Sequence, residues 1–78
     1  MNLIKINEIV EKIEDLGYNI FDNTKFETEP CYVVSYFDFE VKVYADHIVV
    51  YGTFDESAAY FNSEILSLIA ALAKAMIE

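Results

Sequence analysis

The stretch Cys31–Phe54, CYVVSYFDFEVKVYADHIVVYGTF, decides the fold. From Cys31 to Ala45 the odd positions are Cys31, Val33, Ser35, Phe37, Phe39, Val41, Val43 and Ala45, and the even ones include Asp38, Glu40 and Lys42. Alternation with a period of two is the signature of a strand with one apolar face. A two-residue hairpin loop joins residues of opposite parity, so a tight turn near Asp38 would flip the pattern, which does not flip. The expectation is one long bent strand, or two strands joined by a loop of odd length. At Asp46-His47 the parity does flip. Ile48, Val50, Gly52 and Phe54 become the apolar set, facing Ala45, Val43, Val41 and Phe39 across a two-residue hairpin loop.

Before this β region, Ile6, Ile9, Val10, Ile13 and Leu16 recur at helical spacing and predict an amphipathic helix from Asn2 to Leu16. Asn2 or Asn7 could cap its start. Gly17 is placed for the left-handed position after its end, with Tyr18 packing back on Ile13. Tyr18 to Phe21 could add a short strand, and Asp22 to Pro30 reads as a polar loop. After the β region, Asp55 could cap a second helix, with a restart near Asn62-Ser63. Its apolar stripe is Phe61, Ile65, Leu68, Leu72 and Met76, and Leu66, Ile69, Ala70, Ala71, Ala73 and Ile77 widen it almost all round. The expected fold class is α+β: an N-terminal helix, an antiparallel β-meander of about three strands and a C-terminal helix, both helices on one face of the sheet. Residues 1–78 form a single domain, with no internal repeat or linker.

Composition narrows the function. The chain has 78 residues, a formal net charge of -9 and 55% hydrophobic residues, with six Phe and six Tyr. That apolar content rejects an acidic disordered segment. The five basic side chains are all lysines. Without arginine or a basic patch, direct nucleic-acid binding is not expected, and an acidic surface suits a basic partner protein instead. No signal peptide and no apolar stretch of membrane-spanning length is visible, so a cytoplasmic location without membrane contact is the expectation.

Chemistry finds little support. Cys31 sits on the apolar parity of its strand and reads as a buried, inert thiol. His47 is the one histidine and sits in a turn beside Asp46. Neither has a recognisable catalytic companion, so no enzyme activity and no cofactor are expected. No Cys/His cluster or EF-hand pattern is present, so no metal site is expected, although Asp22, Glu27 and Glu29 could gather a weak cation. The glycines, Gly17 and Gly52, build no phosphate-binding loop.

The constellation left is the acidic surface. Glu8, Glu11 and Asp15 lie at i, i+3 and i+7 of the first helix, spaced about 4.5 and 6 Å along its axis, near the phosphate spacing of a nucleic-acid strand. Asp38, Glu40 and Asp46 continue the charge onto the outer sheet face, interleaved with Tyr32, Tyr36, Tyr44 and Tyr51. The partner-binding residues expected are Glu8, Glu11, Asp15, Asp38, Glu40, Asp46, Tyr36, Tyr44 and Tyr51, since tyrosine beside carboxylate suits a surface facing Lys and Arg.

On length, charge, helix-strands-helix order and these acids, the chain resembles small acidic phage-encoded inhibitors, especially anti-CRISPR and other DNA-mimicking proteins. The resemblance implies an inhibitor, of phage or mobile-element origin and acting in the host cytoplasm. It would occupy the basic nucleic-acid-binding site of a host defence nuclease such as a CRISPR effector. Lys12 and Lys42 interrupt the acidic surface. The alternative is a homodimeric structural or regulatory module whose interface is the apolar second helix through Leu66, Ile69 and Ala73.

Overall fold

The computed structural model describes residues 1–23, 29–37, 39–51 and 61–78. Helix α1 spans Leu3–Asp15. Four strands follow, β1 Asn19–Asp22, β2 Tyr32–Tyr36, β3 Phe39–Val43 and β4 Ile48–Tyr51, and helix α2, Ser63–Ile77, closes the order. The strands form one antiparallel meander, β1-β2-β3-β4. The α+β class holds, with four strands in place of about three because Asn19–Asp22 pairs along β2.

Helix termini follow local chemistry. The Asn2 side chain caps α1 by accepting from the Lys5 N–H at 3.2 Å. At the other end the Gly17 N–H donates to the Glu14 carbonyl at 2.9 Å and the Tyr18 N–H to the Ile13 carbonyl at 3.3 Å. That pair of bonds is the Schellman ending, and it holds Gly17 at φ +94. A side chain there would meet open space, so backbone conformation alone demands glycine. Asn62 caps α2 by accepting from Glu64 and Ile65 N–H at 3.1 and 3.2 Å. Helix α2 thus begins at the expected restart, while Asp55 lies outside the described residues. Asn62→Ala leaves both N–H groups without this acceptor and is expected to cost about 1 kcal/mol, lowering Tm by roughly 4–8 °C in a thermal melt. An unchanged Tm would show that solvent satisfies that helix end equally well.

The β2–β3 connection overturns the expected continuous strand or odd-length loop. Tyr36 pairs with Phe39, Val34 with Val41 and Tyr32 with Val43, so the two strands are paired up to positions 36 and 39, an even separation of two residues. Parity does flip there, as the geometry of a two-residue loop requires. The flip was hidden because Cys31, Tyr32, Val33, Val34 and Ser35 are all buried, so alternation in β2 carries no sign of which face meets the core. Tyr32 and Val34, not Val33 and Ser35, belong to the core cluster. Phe37, expected on the apolar face, sits at the hairpin tip, 79% exposed and at φ +55.

The β3–β4 register is also shifted from expectation. Val43 pairs with Ile48 and Val41 with Val50, and the Tyr44 N–H donates to the His47 carbonyl at 2.9 Å. The loop residues are therefore Ala45 and Asp46 rather than Asp46 and His47. The shift preserves side-chain parity and sets the Tyr44 and His47 rings in a stack, 4.4 Å between centroids and 7° between planes.

Both helices cover one sheet face. The core joins Ile6, Ile9 and Ile13 of α1 and Ile65, Ile69, Leu72, Ala75 and Met76 of α2 to Tyr32, Val34, Phe39, Val41 and Val43 of the sheet. Contacts run from α1 to β1 and from α2 to β3. The helices are antiparallel: the Asn2 N–H donates to the Ala75 carbonyl at 2.8 Å, and Lys5 pairs with Glu78 at 3.1 Å. Ile48 and Val50 of β4 remain 45% and 48% exposed on the helix side, since β4 lies beyond the helix pair. No helix among the described residues is long and apolar enough to cross a membrane.

Candidate functional site: a helix stripe and a sheet-end cluster

Burial of Ile6, Ile9 and Ile13 fixes the rotation of α1. At 3.6 residues per turn, Glu8, Glu11 and Asp15 then fall on the opposite side of the helix, and all three are exposed. Ile4, 75% exposed, begins the same stripe one turn earlier. Along the flank facing α2, Lys5, Lys12 and Lys74 line a shallow groove with Glu8 and Glu78. The Lys5 hydrogen bond holds the Glu78 carboxyl below the usual carboxylate range. The inter-helix side of the stripe is therefore of mixed charge, and its outward edge is acidic.

The sheet acids lie elsewhere. Residues 40, 42, 44, 47, 49 and 51 point to the face away from the helices, because Phe39, Val41, Val43, Ile48 and Val50 point toward them. On that outer face Glu40 is exposed and pairs across the ladder with Ser35 and Tyr51. The Lys42 ammonium stands 5.7 Å from the centre of the Tyr51 ring. Tyr44 is half-buried, Asp46 lies in the turn and His47 directly follows it, opposite Tyr44. The α1 stripe and this sheet face point in opposite directions, so the residues expected to share one binding surface divide into two. Asp38 lies outside the described residues.

Two tyrosines were expected on the outer face and are on the inner one. Tyr32 is buried in the core, and Tyr36 is half-buried with its ring 5.1 Å from Tyr18. The cause is the same parity flip between β2 and β3. Burial, followed by the nearby Asp22 carboxylate, pushes the Tyr32 phenol up. The Tyr18 phenol is also raised, by burial and then by Tyr36 and Glu64.

The dimer residues are divided too. Leu66 is 45% exposed, Ala73 is half-buried, and Ile69 is 2% exposed within the core. Ile69 is thus unavailable to a second chain in the folded monomer. Ile77, at 67% exposure, extends the flank of Leu66 and Ala70 instead. Cys31 is wholly buried, as expected, and stands outside the core cluster that the helices share with the sheet.

The juxtaposition invisible in the sequence is at one end of the sheet. In a meander, the β1–β2 connection and the β3–β4 turn emerge at the same end, and Glu29 there meets Asp46 and His47. One ligand-type atom from each lies within 4.8 Å of the others. His47 Nδ1 and Asp46 Oδ1 are 2.6 Å apart, and this hydrogen bond holds the Asp46 carboxyl below its usual range. Asp22, proposed alongside Glu29, is not a member of the cluster, and Glu27 lies outside the described residues.

No protein family, curated protein or solved structure matches the chain. Its surface and its fold are therefore the grounds for a functional reading.

Proposed function

We propose that this chain is a small acidic protein-binding inhibitor that presents the outward edge of α1 to a basic, nucleic-acid-binding site on a partner such as a CRISPR effector or another host defence nuclease. The observation that carries the reading is the exposed row Glu8, Glu11 and Asp15 on the helix face turned away from the core. A rigid helix holds these carboxylates at steps of about 4.5 and 6 Å, so they can stand in for successive phosphates without the entropic cost of ordering a loop. Glu40 and Asp46, on the other side of the molecule, serve solubility or a separate contact.

The test is capture of purified effector nucleases by the immobilised protein at low and then high salt. Binding is expected to weaken by about tenfold or more between the two conditions, because steered association between charged surfaces is screened. The triple variant Glu8→Gln, Glu11→Gln, Asp15→Asn should lose capture, while Glu40→Gln keeps it. Salt-insensitive binding, or equal loss in both variants, would end the helix-stripe reading.

A second reading is a homodimeric module. It rests on the exposed apolar residues Leu66, Ala70 and Ile77, which share one flank of α2, and on the half-exposed Ile48 and Val50 of β4.

A further inference from the structure

We infer that Glu29, Asp46 and His47 form a binding site for a divalent transition-metal ion of the zinc type, independent of the α1 surface. The three residues come from two turns that the meander brings together, and their ligand-type atoms already lie within 4.8 Å of one another. Around a zinc ion with bonds of about 2.0–2.2 Å, tetrahedral ligand atoms stand roughly 3.3 Å apart. Rotation of the exposed Glu29 and Asp46 side chains closes that difference.

The donor set selects the ion. Two carboxylates alone would suit calcium or magnesium, which prefer oxygen, whereas an imidazole nitrogen shifts preference to zinc and its neighbours. Three protein ligands leave a position for water or for a partner's side chain.

Two features outside the ligand set prepare it. Tyr44 stacks on the His47 ring at 4.4 Å and 7°, which fixes the plane of the imidazole. Pro30 follows Glu29 and biases its backbone toward the extended region, which narrows the positions its carboxylate samples. His47 Nδ1 and Asp46 Oδ1, 2.6 Å apart, already set a nitrogen and an oxygen donor side by side, and a cation there also offsets the nearby Glu29 charge. The chain's net charge of -9 raises the local concentration of any cation.

Isothermal titration of the full chain with zinc chloride tests the site, with magnesium chloride as the parallel probe. Saturable one-to-one uptake of zinc is expected, with no comparable heat from magnesium. His47→Ala and Glu29→Gln should each weaken uptake by about tenfold or more, while Glu40→Gln, on the outer sheet face, leaves it unchanged. Circular dichroism of each variant confirms that these exposed substitutions preserve the fold. Absence of saturable uptake at about millimolar zinc overturns the site. So does uptake that His47→Ala does not weaken, which would mark diffuse attraction to the acidic surface.

Discussion

Replacing Leu72 with alanine is expected to lower stability by about 2–5 kcal/mol. Leu72 is wholly buried in the core that α2 shares with α1 and the sheet. Removing its side chain loses the transfer free energy of the buried methyl groups and leaves a cavity that the packed helix pair can only partly fill. A 78-residue domain has a total stability of roughly 4–12 kcal/mol at ordinary values per residue. The variant should therefore sit near its unfolding midpoint in mild denaturant. A urea titration followed by circular dichroism measures the change, and a loss below about 1 kcal/mol would mean that this side chain is not packed as described.

Two glutamate substitutions three residues apart on α2 should give opposite results. Ile69→Glu puts a charge where a 2% exposed side chain meets the core, with no cation beside it in the cluster. Expected destabilisation is about 4 kcal/mol or more, roughly a third or more of the whole stability of a domain of this size. Leu66→Glu adds the same charge on the exposed flank, and the monomer fold should remain within about 0.5 kcal/mol of wild type. Sedimentation of the Leu66 variant then carries the oligomer question. A wild-type dimer that becomes monomeric in Leu66→Glu supports the homodimeric reading of the α2 flank. A wild type that is already monomeric removes it and leaves the acidic stripe as the surviving proposal. If Ile69→Glu folds normally, the rotation assigned to α2 is wrong.

The helices were legible because their signals are local. The spacing of Ile6, Ile9 and Ile13, the Asn2 and Asn62 caps and the glycine after Leu16 each act within a few residues, and each appears where the sequence places it. The sheet was less so. Val33 and Ser35 look like core positions because β2 is buried on both faces. Binary alternation reports burial, and in a doubly buried strand burial stops reporting direction. That single ambiguity concealed the break between β2 and β3 and put Tyr32 and Tyr36 on the wrong face.

The candidate sites divide along the same line. Glu8, Glu11 and Asp15 were readable as a stripe because helix geometry is fixed by the backbone period. The cluster of Glu29 with Asp46 and His47 was not, since 17 positions separate Glu29 from Asp46 and nothing local links them. The sequence by itself determined the α+β class, the Gly17 ending of α1 and the acidic stripe of α1, the last two governed by interactions within about one helical turn. Only the tertiary structure decided which face of β2 meets the helices, how the β3–β4 register aligns Tyr44 over His47, and which residues meet at the sheet end. Those outcomes depend on strand pairing, where side chains distant in the chain compete for one core and the best-packed register prevails over local pattern.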